Sequence, residues 1–270
     1  MSIAGNLEKM FSLEGKVVLF TGATGGIGEA LVRGLASAGA QMALCDVNAE
    51  ALGKLEKSLA DEGVTARGYE LDIMRMDNIR ECAEKVTADF GRIDILVNCA
   101  GINKREGILD VLEETYDRIM NVDLKGLYFL SQEVVKQSMY KQKSGSIINI
   151  ASHTSVGALG GVSVYGAAKS AVASLTRSMA VEWAQYGIRA NAIAPGHILT
   201  PLTTVTWEHP ERSAYLRERI AMRRPGTPED IVGAAVMLAS DASAYMSGTM
   251  IHIDGGCLAG GSPWPFDTSY

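Results

Sequence analysis

A tyrosine and a lysine four residues apart in this chain could move a proton at a substrate oxygen. Tyr165 and Lys169 would lie one above the other on a single face of a helix. An ammonium group beside a phenol favours the phenolate and lowers a pKa that is ~10 when unperturbed. A tyrosine tuned in this way can donate or accept a proton near neutral pH. The pair therefore indicates acid–base chemistry on an alcohol or a carbonyl group.

A serine upstream of this pair is the third candidate. Ser152 follows the apolar run 147–151, which predicts a buried parallel strand. The residue after such a strand lies at the mouth of a cleft, where its hydroxyl can reach a substrate. A serine at this place is often only a turn or cap residue, and a Tyr-x-x-x-Lys pair is often accidental. The three residues together, behind a glycine-rich loop, indicate hydride transfer.

The glycine-rich loop is Thr-Gly-Ala-Thr-Gly-Gly-Ile-Gly, residues 21–28, between a strand pattern and a helix pattern. Gly22, Gly26 and Gly28 would allow a tight turn, a close approach of the backbone to a pyrophosphate, and close packing of helix on strand. The free N–H groups at the start of the helix would bind the phosphates. The spacing is G-x-x-x-G-x-G, a variant of the dinucleotide-binding motif.

An acidic residue at the end of the second predicted strand bears on the choice of dinucleotide. Asp46 stands where a carboxylate can bind both ribose hydroxyls and repel a 2′-phosphate. Gly25, inside the loop, offers no basic side chain to such a phosphate. Both residues predict NAD rather than NADP. Asp46 could instead be only a cap for the helix that follows from Asn48.

Apolar strand patterns alternate with helical patterns along nearly the whole chain. Strands are predicted at residues 16–21, 41–45, 66–71, 93–98, 146–151, 189–193 and 249–253. Helices are predicted at residues 27–38, 49–62, 76–90, 113–141, 165–185 and 228–239. Continuous apolar strands between helices favour a parallel sheet covered on both faces, with right-handed crossovers. We predict one α/β domain, residues 1–270, a doubly wound Rossmann-type fold with a seven-stranded parallel sheet.

Two segments lie outside this alternation. Residues 199–222 form an insertion with a polar, threonine-rich first half, and we expect a lid over the cleft. The tail, residues 257–270, is rich in glycine and proline and carries Trp264 and Phe266. We expect these two aromatic side chains to pack near the rim of the active site, on their own subunit or on a neighbour.

Composition excludes several other classes of protein. The chain has 270 residues, a hydrophobic fraction of 47% and a net charge of −6, which argue against nucleic acid or an anionic membrane as the main partner. It has neither a signal-peptide pattern nor an apolar run of ~18 residues. The four cysteines and four histidines form no metal-ligand pattern, so we expect reduced thiols and no metal site. These features predict a cytoplasmic protein.

Together the glycine-rich loop, Asp46, Ser152, Tyr165 and Lys169 resemble the short-chain dehydrogenase/reductase family, in its single-domain branch. The resemblance extends from residue 13 to residue 256. Further matching motifs are Leu71-Asp72-Ile73, Asn98-Cys99-Ala100-Gly101 (with Cys99 in place of an asparagine), Pro195-Gly196-His197-Ile198-Leu199-Thr200, residues 224–230, and Asp254-Gly255-Gly256.

This resemblance implies a role for each site residue. Tyr165 is the acid/base, Ser152 binds the substrate oxygen, and Lys169 holds the nicotinamide ribose. Asn121 holds a water in the proton relay that leads to Lys169. The implied cofactor-binding residues are Gly22, Thr24, Gly25, Gly26, Ile27, Gly28, Asp46, Asp72, Ile73, Asn98, Ala100, Gly101, Tyr165, Lys169, Pro195, Gly196, Ile198 and Thr200.

The resemblance implies a small alcohol or carbonyl compound as substrate. The loop 101–105 is similar to the branch that acts on gluconate, deoxygluconate and related sugar acids or polyols. Arg105 could clamp a carboxylate, or be a solvated surface charge. His153 could bind substrate hydroxyls, or be a buried and satisfied histidine. His197 and Ser152 complete the candidate substrate residues.

Other functions and assemblies remain open at this point. Within the family, the alternatives are a 3-oxoacyl-carrier-protein-type reductase, which usually uses NADPH and a basic loop residue, and a steroid-type dehydrogenase. A non-catalytic NAD-binding regulator is a more distant alternative, because a regulator needs no Tyr–Lys pair. The resemblance also implies a homotetramer, paired through the helices near 113–141 and 165–185.

Overall fold

Seven strands pair in parallel to form one sheet, as the sequence predicts. The computed structural model describes residues 3–260. The strands are β1 (Val17–Thr21), β2 (Gln41–Asp46), β3 (Ala66–Glu70), β4 (Ile95–Asn98), β5 (Gly145–Ile150), β6 (Ile188–Pro195) and β7 (Met250–Ile253). Their order in the sheet is β3-β2-β1-β4-β5-β6-β7, and every neighbouring pair is parallel. The predicted single-domain, doubly wound fold is confirmed.

Helices cover both faces of this sheet. In chain order they are α1 (Ile3–Phe11), α2 (Gly26–Ser37), α3 (Ala49–Asp61), α4 (Met76–Phe90), α5 (Glu113–Met120), α6 (Leu127–Val134), α7 (Tyr140–Gln142), α8 (Ser163–Trp183), α9 (Thr204–Glu208), α10 (Pro210–Arg219) and α11 (Glu229–Ala239). One core cluster joins the sheet to α4, α6 and α8, and a second joins it to α2, α3 and α11. The central strands are buried on both faces, which explains their unbroken apolar sequences.

The order of the strands creates a crevice between β1 and β4. The chain runs outward from β1 to β3 and then returns to the other side of β1 with β4. Loops after these two strands therefore diverge at the carboxyl edge of the sheet, where ligands bind in open α/β folds. The Thr21 hydroxyl ties the two strand ends together, because it accepts the N–H groups of Cys99 (3.1 Å) and Ala100 (3.2 Å).

The long helix predicted at 113–141 is interrupted twice by wider turns. The π-helical segments Asn121–Gly126 and Val135–Met139 separate α5, α6 and α7 within residues 113–142. Such π-turns occur often at functional sites. The first of them faces α8, the helix that carries Tyr165 and Lys169.

The insertion at 199–222 forms two short helices, α9 and α10. Within residues 3–260, no helix is long and apolar enough to cross a membrane. Only the first four residues of the predicted tail, 257–260, are described, so the expected packing of Trp264 and Phe266 lies outside the described residues.

Candidate active site

A cavity of about 670 Å³ opens at the carboxyl edge of the sheet, at the crevice between β1 and β4. It extends from the glycine-rich loop to the insertion 199–222. The predicted site residues that line it are Gly22, Thr24, Gly25, Gly26, Ile27, Gly28, Asp46, Asp72, Ile73, Ala100, Gly101, Arg105, Ser152, His153, Tyr165, Lys169, Pro195, Gly196, His197, Ile198 and Thr200. Two predicted residues, Asn98 and Asn121, do not line it.

The glycine-rich loop has the geometry of a phosphate cradle. Gly22 has a φ of +70°, and a Cβ there would lie 2.9 Å from the backbone nitrogen of Ala100. A Cβ at Gly28 would overlap the carbonyl oxygen of Gly22. The helix α2 begins after Gly25 without a side-chain cap, so its first N–H groups are available to an anion. These residues fit the pyrophosphate of a dinucleotide.

Asp46 anchors this loop from the end of β2. Its Oδ2 accepts the N–H (3.1 Å) and the hydroxyl (2.8 Å) of Thr24, and its Oδ1 accepts the N–H of Asn48 (3.2 Å). The cap of α3 is Asn48, whose side chain accepts the N–H of Ala51. Asp46 is therefore not the cap of α3. It lines the cavity together with Thr24, Val47 and Asn48.

The side chain of Asn98 lies in the core beside the cavity, and Asn98 is not among the residues that line the cavity. Its amide donates hydrogen bonds to the Ser131 hydroxyl (2.9 Å) and to Asn149 Oδ1 (2.8 Å). The Asn149 amide in turn donates to the Thr176 hydroxyl (2.9 Å). Asn98 is 2% exposed, because it belongs to the last position of a buried strand. This network joins β4 to β5, α6 and α8 and fixes the loop that follows β4.

Tyr165 and Lys169 occupy the same face of α8, as their spacing predicts. The Lys169 ammonium lies 5.5 Å from the centroid of the Tyr165 ring. It donates a hydrogen bond to the carbonyl oxygen of Ile150 (2.9 Å), the last residue of β5. Lys169 is only 3% exposed, so the orientation of its ammonium group is fixed by the protein.

Ser152 is held at the end of β5 by a small hydrogen-bonded turn. Its hydroxyl oxygen accepts the N–H (3.1 Å) and the hydroxyl (2.9 Å) of Thr154, and its own N–H donates to the Ser155 hydroxyl (3.3 Å). With its oxygen already accepting twice, the Ser152 hydroxyl retains its proton to donate toward the cavity. Thr154 is a supporting residue that sequence analysis missed, because nothing in the local pattern distinguishes it from a turn residue.

Two histidine rings lie next to each other in the cavity, tilted by 54°. The ring centroids of His153 and His197 are 4.6 Å apart, and His197 meets the edge of Trp207 at 6.5 Å. His153 Nδ1 lies 3.3 Å from the carbonyl oxygen of Pro195, which can only accept, so this nitrogen carries the proton. The Nε2 of the neutral ring is then an acceptor.

Both histidines are neutral near pH 7. Burial lowers the pKa of His153. Burial, with His153, Arg105 and Arg219 nearby, lowers the pKa of His197 to about 4. The pair can thus accept hydrogen bonds from hydroxyl groups without adding charge to the cavity.

Asp123 reaches Lys169 directly from the long helix, two residues after Asn121, the residue predicted to hold a water in the proton relay. Asp123 Oδ2 lies 3.3 Å from the Lys169 ammonium, and the carboxylate is fully buried. Residues two apart in a helix point to different sides, so Asn121 cannot share this position. An acidic residue between Val122 and Leu124, in a helix that packs on the sheet, was the available sequence signal.

The insertion closes the far side of the cavity. Leu202, Thr203, Thr206 and Trp207 line it, together with Leu216 from α10. The start of the insertion touches the glycine-rich loop, because a Cβ on Gly26 would lie 3.0 Å from Thr200. Two arginines also line the cavity. Arg105 lies in the loop after β4 and its side chain is exposed, and Arg118 lies in α5. Sequence analysis missed Arg118.

The chain is similar in sequence to a family of known proteins and to several of its members. A family model described as enoyl-(acyl carrier protein) reductase matches residues 22–257. The 2-dehydro-3-deoxy-D-gluconate 5-dehydrogenase of Escherichia coli is 41% identical over 256 residues, 92% of this chain and 98% of that protein. The 3-oxoacyl-[acyl-carrier-protein] reductase of Thermotoga maritima is 41% identical over 248 residues, 91% of this chain and 99% of that protein.

A solved structure is also similar. It is a gluconate 5-dehydrogenase from Burkholderia cenocepacia in complex with NADP and tartrate, with 36% identity and a TM-score of 0.91. The match covers 94% of this chain and 99% of that chain.

Proposed function

The chain belongs to the short-chain dehydrogenase/reductase family, and we propose that it transfers a hydride between NAD(H) and a secondary hydroxyl group of a sugar acid. The observation that carries this proposal is the cavity itself, which is lined by Ser152, Tyr165 and Lys169, by the glycine-rich cradle for a dinucleotide, and by His153, His197 and Arg105. Sugar-acid names among the relatives support the substrate class.

In this proposal each of the three residues acts on a defined group. In the oxidation direction the Tyr165 phenolate accepts the proton of the substrate hydroxyl, while the Ser152 hydroxyl donates a hydrogen bond to the same oxygen. The Lys169 ammonium favours the phenolate and binds the nicotinamide ribose. The bound nicotinamide supplies the acceptor for the hydride. In the reduction direction the phenol returns its proton to the carbonyl oxygen.

We assign NAD as the preferred cofactor from the charge at the adenosine end. Among the described residues that line the cavity, those of the segments 21–28, 45–48 and 71–74 include Asp46 and Asp72 but neither a lysine nor an arginine. A 2′-phosphate beside Asp46 would meet a carboxylate without a compensating cation. Several similar structures contain NADP, so a kinetic measurement on this chain has to decide between the two cofactors.

Removing the negative charge at position 46 should reduce the preference for NAD. For Asp46→Asn we expect the ratio of kcat/KM with NADP to kcat/KM with NAD to rise about tenfold, because the repulsion of the 2′-phosphate is lost. The amide oxygen can still accept from Thr24, so the loop keeps its anchor. Steady-state kinetics with both cofactors provide the measurement. Equal or better efficiency with NADP in the unmodified protein would contradict the assignment.

The substrate end of the cavity suits a polyhydroxylated acid. The acceptor nitrogen of His153 and the neutral His197 ring can bind hydroxyl groups, while Arg105 supplies a positive charge that can pair with a carboxylate. The loop that carries Arg105 is fixed next to the cavity, because Glu106 N–H donates to the carbonyl oxygen of Gly161 (2.9 Å).

Replacing Arg105 should weaken the binding of acids specifically. For Arg105→Gln we expect KM for a sugar acid to rise about tenfold or more, while KM for the corresponding uncharged aldose or polyol stays within about twofold. The neighbouring Lys104, which forms an ion pair with Glu106, provides the matched control Lys104→Gln. An equal rise in KM for charged and uncharged substrates, or none, would rule out the carboxylate clamp.

A 3-oxoacyl-carrier-protein reductase is the second candidate, favoured by the 41% identity to the Thermotoga maritima enzyme. Its acyl substrate carries no carboxylate near the reacting carbon, and the reductase usually uses NADPH. Asp46 and Gly25 disfavour that cofactor. Reduction of an acetoacetyl thioester with NADPH, faster than any turnover of sugar acids, would favour this candidate.

We further propose that the chain forms a homotetramer. The long helix 113–142 and α8 expose apolar and aromatic side chains, among them Tyr116, Tyr128 and Val181. A second copy could cover these faces. The residues 199–222 are proposed to act as a lid that excludes water once the cofactor and the substrate are bound.

A further inference from the structure

Two cysteines from neighbouring layers of the fold meet in the core. Cys45 lies in β2, and Cys82 lies in α4, which packs on the sheet in the same buried cluster. Their sulfur atoms are 3.6 Å apart. A disulfide bond holds two sulfur atoms at about 2.05 Å, so a relative shift of about 1.5 Å would bring this pair to bonding distance.

The pair is enclosed by apolar side chains. Cys45 has 0% exposure and Cys82 has 3%. Leu71, Ile79 and Val86 belong to the same buried cluster. In the part of the chain that the structure describes, each thiol has the other as its hydrogen-bond partner. The two sulfur atoms are therefore held against each other by the packing of β2 and α4.

The two thiols are not equivalent. Their shared hydrogen bond lowers the pKa of Cys82, an effect that burial opposes and Lys85 reinforces. The same hydrogen bond, together with burial, raises the pKa of Cys45. Cys82 is also the less buried of the two. Because the thiolate is the form that reacts with oxidants, Cys82 is the sulfur expected to react first and Cys45 the one that follows.

The backbone at the end of β2 holds two walls of the dinucleotide cradle. The carbonyl oxygen of Cys45 accepts the N–H of Ala23 (3.2 Å), in the glycine-rich loop, and the next residue, Asp46, anchors the same loop. The carbonyl oxygen of Asp46 accepts the N–H of Leu71 (2.9 Å). The segment 72–74 that follows lines the cavity and leads into α4. A movement of β2 toward α4 therefore reaches both walls.

We propose that Cys45 and Cys82 form a redox-active pair, which hydrogen peroxide converts into a disulfide bond that weakens the binding of the nicotinamide cofactor. The bond pulls the end of β2 toward α4 and displaces the backbone that holds the glycine-rich loop. By linkage, bound cofactor favours the reduced pair. This inference goes beyond the proposed function, because it needs the dinucleotide cradle but no particular substrate.

One molecule of hydrogen peroxide is consumed for each pair. The Cys82 thiolate attacks one peroxide oxygen, the O–O bond breaks, and the leaving hydroxide takes up the proton of the thiol to give water and a sulfenic acid. The Cys45 sulfur then attacks the sulfenic sulfur. The S–S bond forms, the S–O bond breaks, and hydroxide leaves with the Cys45 proton as a second water. The two sulfurs lose two electrons, which reduce the two peroxide oxygens.

The test combines a peptide map with cofactor titrations. The purified protein is treated with hydrogen peroxide, free thiols are alkylated after unfolding, and the protein is digested without a reductant. We expect a cross-linked pair of peptides that contain Cys45 and Cys82. Fluorescence titrations with NADH and with NADPH should show a Kd about tenfold larger in the oxidised protein. Dithiothreitol should remove the cross-link and restore the Kd, because a dithiol reduces a disulfide by exchange.

Cysteine variants show whether this pair is responsible. In Cys82→Ala and in Cys45→Ala, peroxide should give no cross-link and should leave the Kd unchanged. Cys257→Ala is the matched control, because Cys257 is a half-buried cysteine outside the pair. It should keep both the cross-link and the change in Kd. If a variant fails to fold, the unmodified protein still decides, since the peptide map and the Kd require no substitution.

The outcomes separate this inference from the proposed function. Oxidation of Cys82 to a sulfinic acid without a bond to Cys45 would overturn the pairing. An unchanged Kd in cross-linked protein, or a loss of affinity that dithiothreitol does not reverse, would overturn the effect on the cofactor. A reversible loss of affinity in a protein that oxidises no sugar acid would support the pair and overturn the sugar-acid proposal alone.

Discussion

Replacing Tyr165 by phenylalanine will lower kcat by about 10³-fold while NADH binding stays within about twofold. Only the ionisable hydroxyl is removed, so the ring still packs on α8 and Lys169 keeps its bonds to Ile150 and Asp123. Without the phenolate, the substrate hydroxyl loses the proton acceptor that the proposed function assigns to it.

Two measurements check this prediction. Single-turnover kinetics give the rate of hydride transfer, and NADH fluorescence gives the dissociation constant of the cofactor. Tyr116→Phe, a substitution of an exposed tyrosine on α5, is the matched control and should leave both unchanged. A residual rate within about tenfold of the native rate would show that another group is the acid and base.

Replacing Lys169 by methionine will damage both the chemistry and the fold. We expect kcat/KM to fall about 10³-fold, because the ammonium serves the phenolate and the ribose together. The substitution also leaves the Asp123 carboxylate buried without its partner, which should destabilise the protein by about 3–5 kcal/mol. Denaturant unfolding measures the second effect independently of activity.

A double variant separates the two effects of Lys169. Lys169→Met with Asp123→Asn removes both charges, so most of the lost free energy of unfolding should return while the enzyme stays inactive. If the double variant is no more stable than the single one, the carboxylate and the ammonium do not form the coupled pair that their 3.3 Å separation indicates. Recovery of activity in the double variant would contradict the assigned role of the lysine.

The order of elements could be predicted because each central strand is buried on both faces and therefore apolar throughout. Strand β5, for example, has five buried residues in six, and the sequence pattern placed it within one residue at each end. The short helix α1 was not predicted. Its sequence has only nine residues and carries Glu8 and Lys9, which weaken the apolar pattern.

The sequence also predicted most of the residues that line the cavity, but two predicted residues, Asn98 and Asn121, do not line it. Asn98 stands in a strand with all four residues buried, so no alternation of burial indicated which way its side chain points. The motif match indicated Asn121, while the structure brings Asp123 to Lys169, because the position of a residue in a motif does not reveal a π-turn. Sequence spacing gives the face of a residue only where the helix keeps its regular period.

The most direct test of the proposed function is a substrate screen with the purified protein. Gluconate, 2-dehydro-3-deoxygluconate, uncharged aldoses, polyols and an acetoacetyl thioester are each tested with NAD(H) and with NADP(H), and formation or loss of reduced nicotinamide is measured. We predict the highest kcat/KM for a sugar acid with NAD(H), and loss of that activity in Tyr165→Phe. Turnover confined to the thioester with NADPH, or none with any sugar acid, would contradict the proposal.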